Sequence, residues 1–89
     1  MKDYKALVRY ALANDCTLSV WDGEEWSTKK SKDYQAIIQD IEGVEEAQIR
    51  IRNQDGYVVA WALIIPGLDP DETIADCSVN EWMQSWEMA

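Results

Sequence analysis

The sequence predicts an α+β domain: a duplicated α-β-β unit forming a four-stranded antiparallel sheet with two helices on one face, plus a C-terminal helix. Three observations predict it. Apolar residues recur at helical spacing in two segments, and each segment is followed by two strand-like stretches joined at Asp-Gly. Lys2-Asp3-Tyr4-Lys5-Ala6-Leu7-Val8 lines up with Lys32-Asp33-Tyr34-Gln35-Ala36-Ile37-Ile38 at a spacing of thirty residues. A chain of 89 residues is too short for two cores. The reading is therefore a single domain, 1–89, with pseudo-repeats over 1–30 and 31–66 and an acidic C-terminal helical segment over 67–89.

Each element has its own signal. In residues 3–13, Tyr4, Leu7, Val8, Ala11 and Leu12 fall on one helical stripe, and Asn14-Asp15 ends it. From Thr17 to Trp21 the pattern alternates, with Leu18 and Val20 inward. Asp22-Gly23 turns the chain into a return strand over Trp26–Lys30. Ser31 is the expected N-cap of the second helix, with Asp33 in its first turn and Tyr34, Ile37, Ile38 and Ile41 inward; Gly43 stops it. Gln48–Arg52 alternates again, Asp55-Gly56 turns, and Tyr57–Ile65 is the last strand. Asp69-Pro70-Asp71-Glu72 predicts a short helical turn, and Ser78-Val79-Asn80-Glu81 a capping box. The final helix carries Val79, Trp82, Met83 and Trp86 on one stripe.

The last strand is apolar on both sides: Tyr57, Val59, Trp61, Leu63 and Ile65 on one, Val58, Ala60, Ala62 and Ile64 on the other. Such a strand is expected to be covered on both faces. The first two helices cover one. The C-terminal helix or a second chain is expected on the other, and Trp61 is expected in the core.

Charge is segregated along the chain. Seventeen acids against eight bases give a net charge of −9, and residues 53–89 hold seven acids and no base. This balance argues against direct binding of nucleic acid, whose phosphates are met by Lys and Arg, and against anionic membrane surfaces. No apolar run reaches the length of a membrane span.

Side-chain chemistry is sparse. There is no His, so the group best placed for proton transfer near neutral pH is missing. Cys16 and Cys77 form no metal or redox motif and read as reduced, buried thiols; a disulfide between them is the alternative. Asp15 beside Cys16 discourages the thiolate. Asp69, Asp71, Glu72 and Asp76 lack the spacing of a calcium loop. A non-enzymatic protein without metal or cofactor is expected. Arg50 and Arg52 are expected to pair with the protein's own acids or to stack on Trp82 or Trp86, with an anion grip as the alternative.

The remaining candidates are carboxylates interleaved with indoles, which protein interfaces use for steering and anchoring. They are Asp22, Glu24, Glu25 and Trp26 at the first hairpin tip, and Asp69, Asp71, Glu72, Asp76, Glu81, Trp82 and Trp86 in the tail.

Ser19-Val20-Trp21-Asp22-Gly23-Glu24-Glu25-Trp26, Trp61-Ala62-Leu63-Ile64-Ile65-Pro66-Gly67-Leu68, and Asp71-Glu72-Thr73 with the closing tryptophans carry a resemblance. The chain resembles small uncharacterised acidic proteins encoded by tailed bacteriophages. The resemblance implies a protein made in a host bacterial cytoplasm and supplies no activity. With the charge pattern, it leads to the expectation of a protein-interaction module, an inhibitor or DNA mimic that binds a nucleic-acid-binding host protein. A self-assembling structural protein, with the two-sided strand buried in a homodimer, is the alternative.

Overall fold

Asp3 and Asp33 start two helices in the same way. Each carboxylate accepts the backbone N–H three residues on, from Ala6 at 2.9 Å and from Ala36 at 3.3 Å. These contacts satisfy donors that a helix start leaves open. The structure, a computed structural model, describes residues 3–89 apart from the side chain of Pro70; Lys2, at the head of the repeated segment, lies outside them. Helix α1 spans Tyr4–Ala13 and α2 spans Tyr34–Glu42. The cap of α2 is thus Asp33 and not Ser31, which ends a strand and whose hydroxyl accepts the Asp33 N–H at 3.0 Å. Asp33→Ala is expected to cost about 1 kcal/mol, read as a lowered urea midpoint with unchanged slope.

Five strands form one antiparallel sheet: β1 (Thr17–Trp21), β2 (Trp26–Ser31), β3 (Ala47–Arg52), β4 (Val58–Ile64) and β5 (Ile74–Cys77), in the order β2-β1-β3-β4-β5. The four-stranded expectation is corrected by β5. It occupies part of the segment expected to be helical, beyond a single 3-10 turn at Pro70–Glu72. The Ile65 N–H donates to the Thr73 carbonyl at 2.7 Å and carries the ladder into β5. A four-residue edge strand behind a row of acids has too little alternation to be distinguished from a helix start. The second α-β-β unit therefore ends in a covered strand, whereas the first ends in the bulged edge strand β2.

Helix α3 (Glu81–Met88) is capped by Asn80, whose Oδ1 accepts the Met83 N–H at 3.1 Å while its Nδ2 donates to the Val59 carbonyl at 2.7 Å. Ser78, the expected cap, instead accepts the Trp61 N–H at 3.2 Å. Val79 points to solvent and is not on the buried stripe. Met83 and Trp86 are buried in one core with Leu7, Val8, Leu18, Ile37, Ile49 and Ile51. Trp82 meets Tyr10 of α1 edge-on at 5.4 Å. All three helices therefore lie on one face of the sheet. Among the described residues, no helix covers the other face.

Register explains why both sides of β4 could be apolar. Leu18, Ile51 and Ala60 lie opposite one another, as do Val20, Ile49 and Ala62, all under the helices. The next positions form the rows Trp21, Gln48, Leu63 and Asp76, and Ser19, Arg50 and Trp61, on the open face. Trp61 is 41% exposed there, so its expected place in the core is corrected. Among the described residues, no helix is long and apolar enough to cross a membrane.

Candidate functional site

Antiparallel pairing gathers the acids. Trp21 pairs with Gln48, and Ala47 with Ile64. The β1–β2 hairpin tip, the α2–β3 connection and the β4–β5 connection therefore emerge at one end of the sheet. Those connections hold Asp22, Glu24, Glu25, Glu45, Glu46, Asp69, Asp71 and Glu72, and no Lys or Arg. The tip is ordered by Asp22, whose Oδ1 accepts the Glu24 and Glu25 N–H groups at 2.8 Å each. These backbone donors hold its carboxyl below the usual carboxylate range. Gly23 supports the turn at φ +105°, where a Cβ is strained.

The structure thus brings together Asp22, Glu24, Glu25, Asp69, Asp71 and Glu72, adds Glu45 and Glu46, and sets Asp76 one strand row inward, opposite Leu63. Glu81 lies elsewhere, in the first turn of α3. Trp82 and Trp86 are not surface anchors: Trp86 is 5% exposed and Trp82 packs against the core. Trp26 sits on the open face beside Trp21, their rings 5.2 Å apart at 66°.

The bases took neither of the two places expected first. Arg50 stacks on Trp26, with its guanidinium carbon 4.9 Å from the ring centroid. Arg52 donates through Nη1 to Ser19 Oγ at 3.1 Å. Among the described residues, the one ion pair is Lys5 with Glu42, at 3.5 Å on the helix side. No base lies within ion-pair distance of the acidic end among the described residues. Pairing register, which composition cannot supply, is what hid Trp21, Arg50 and Trp61; the alternation of Thr17–Trp21 and Gln48–Arg52 was the available signal that they share a face.

Three open hollows line this face, and all border on Arg50. One of about 430 Å³ runs along Gln48, Val58, Trp61, Leu63 and Asp76. One of about 300 Å³ lies between Trp21, Trp26 and Gln48. One of about 190 Å³ is bounded by Ser19, Trp26, Lys29, Lys30 and Arg52.

Burial pushes the Cys16 thiol up and Asp15 adds to it; Cys77 is raised by burial, then by Glu87 and Asp76. Both are free thiols, Cys16 buried and Cys77 half-buried. Burial, then its 2.5 Å hydrogen bond to Glu42, raises the Tyr4 phenol above its ordinary value of about 10. A raised folded-state pKa contributes stability below the unfolded value and loses it as pH climbs beyond about 10. The native protein is expected to exceed Tyr4→Phe by about 1–3 kcal/mol at neutral pH. That margin should shrink above about pH 10 in urea titrations at stepped pH.

A scan of family models and searches of curated proteins and solved structures returned no match, so the functional reading rests on this geometry: an acidic end abutting an aromatic, cationic sheet face.

Proposed function

We propose that the protein is a small non-enzymatic interaction module whose acidic end docks on a basic, nucleic-acid-binding surface of a partner protein, with Trp21 and Trp26 at its margin as anchors. The observation that carries this reading is the convergence of eight carboxylates from three connections, with no base among them. Duplex DNA carries one charge per 1.7 Å of axis, so eight charges occupy about 14 Å. The whole domain measures 28 × 27 × 20 Å. The acidic end therefore presents charge at a density of the order that a DNA-binding surface meets on its ligand. Extended to the sequence resemblance, the reading is a phage-made inhibitor, a DNA mimic acting in the host bacterial cytoplasm.

Affinity capture from bacterial lysate tests it, with two elutions, double-stranded DNA and raised salt. The expected result is a partner that both release and that is lost when the eight carboxylates are changed to amides. Partners unmoved by either elution, or retained equally by the amide variant, would overturn it.

A second reading, self-association through the open side of β4, is favoured by Val58 at 50% and Trp61 at 41% exposure along one hollow. An uncovered apolar strip of this kind is a recurrent mark of association. Light scattering at micromolar concentration discriminates: a stable dimer that Trp61→Ser dissociates supports it, and a monomer removes it.

A further inference from the structure

Half of the chain's basic residues surround one cleft. Lys29, Lys30, Arg50 and Arg52 border the 190 Å³ hollow with Ser19 and Trp26, and no carboxylate is among them. None of the four lies within ion-pair distance of an acid among the described residues. Acids outnumber bases by two to one in this chain, so four unneutralised cations at one place stand out against its composition. Asp76 shares the adjoining 430 Å³ hollow with Arg50, but the lining of the cleft itself holds no carboxylate, and a bound anion would relieve the repulsion among its cations.

The hydrogen-bonding groups point the same way. Ser19 is 4% exposed, and its Oγ accepts from the Lys30 N–H at 3.0 Å and from Arg52 Nη1 at 3.1 Å. Both lone pairs are used, so the hydroxyl has only its hydrogen left to offer. Two ammonium groups and two guanidinium groups add further donors. The cleft offers donors and no unused side-chain acceptor, a set that selects a ligand with several anionic oxygens.

The strand is distorted to make it. The pairing of β1 with β2 slips between Leu18↔Ser31 and Val20↔Thr28, and Lys30 lies at φ 47°. A non-glycine residue in the left-handed region carries strain that its surroundings must hold. Within this bulge two successive lysines, which regular alternation would send to opposite faces, border one cleft.

The neighbouring hollow supplies an aromatic subsite. It shares Trp26 and Arg50 with the cleft and adds Trp21 and Gln48. Indole and guanidinium planes accept a stacked heterocycle, and the Gln48 amide carries both a donor and an acceptor for a base edge. Beyond Trp21 and Trp26 come Asp22, Glu24 and Glu25. A long polyanion crossing the face would run into these carboxylates, whereas a single nucleotide with its phosphate in the cleft would not.

We propose that the open face binds a nucleoside phosphate, with the phosphate held by Ser19, Lys29, Lys30 and Arg52 and the base stacked in the hollow of Trp21, Trp26, Gln48 and Arg50. This site borders the acidic end and shares Trp21 and Trp26 with its margin, but it does not depend on that end binding anything.

Tryptophan fluorescence of the full chain tests it, with nucleoside monophosphates and diphosphates, uncharged nucleosides, inorganic phosphate, a short oligodeoxynucleotide and polyglutamate as probes. Nucleoside phosphates are expected to quench saturably, and inorganic phosphate to compete without the same quench. Removing the phosphate, or making Lys29→Gln or Arg52→Gln, should each weaken binding about tenfold or more. Arg9→Gln, which removes the same charge on the helix side, should leave it unchanged. Trp26→Leu should abolish the quench, with circular dichroism reporting the fold; Lys29 is exposed, so its variant keeps the test open if Trp26→Leu unfolds. Absence of saturable quenching by any nucleoside phosphate at millimolar concentration would overturn the proposal. So would equal binding of polyglutamate, which would make this an acidic-peptide site, or tighter binding of the oligodeoxynucleotide, which would make it a single-strand site.

Discussion

Trp86→Ala is expected to destabilise the domain by about 3–5 kcal/mol, while Trp61→Ala costs under about 1 kcal/mol. The two residues are the same amino acid in the same small protein, and only placement separates them. Trp86 is 5% exposed among the side chains that α3 contributes to the core; Trp61 is 41% exposed on the open face. Truncating a buried indole loses its burial and leaves a cavity that the neighbouring helices close only partly. A domain of this length has a total stability of about 4–13 kcal/mol, so the first variant is expected to lose a large part of it, and at the lower end of that range to be partly unfolded at 25 °C. Equilibrium urea titration measures both. Equal small losses would mean that α3 is not seated on the helix side of the sheet.

Converting the eight carboxylates of the acidic end to amides is expected to slow association with a captured basic partner by about 10–1,000-fold at low salt. The dissociation rate should change much less, because charges at the margin of an interface act mainly on encounter. The difference should narrow as the Debye length falls to about 8 Å near physiological ionic strength. Folding is expected to survive the change. These residues lie in connections outside the helices and strands, except that Asp71 and Glu72 lie in the 3-10 turn, and the variant removes like-charge repulsion. At Asp22 an asparagine keeps the oxygen that accepts the Glu24 and Glu25 N–H groups. Stopped-flow mixing across a salt series reads the effect. A loss confined to dissociation, or independent of salt, would contradict steering by this end.

The pattern of apolar residues carried most of the fold. Tyr4, Leu7, Val8 and Ala11 on one stripe, Ile37, Ile38 and Ile41 on another, and the alternation around Ile49 and Ile51 are local periodicities. A helix or strand with such a face can bury it in only one way. Gly23 and Gly56 both adopt positive φ in the turns read from Asp-Gly. The fifth strand escaped because Ile74–Cys77 is too short for alternation to be visible, and what makes it a strand is the edge of β4 beside it.

The candidate site was legible only in part. Asp22, Glu24, Glu25, Asp69, Asp71 and Glu72 were visible as acids, yet their assembly with Glu45 and Glu46 depends on which ends of β1, β3 and β4 lie side by side. Trp61 looked like core because its strand is apolar on both sides, and Trp86 looked like an anchor because its helix is acidic. Each reading reversed once α3 proved to share the helix side.

Residue order along the chain is enough to set the three helices, the first four strands and the Asp-Gly turns, because each follows from neighbours within a few positions. Composition alone sets the net charge. The open face, the placement of the four cations about Ser19 and the gathering of carboxylates at one end arise from strand register and from the side of the sheet that α3 takes. Those are contacts between residues far apart in the chain, and their energies are settled only when the whole core closes.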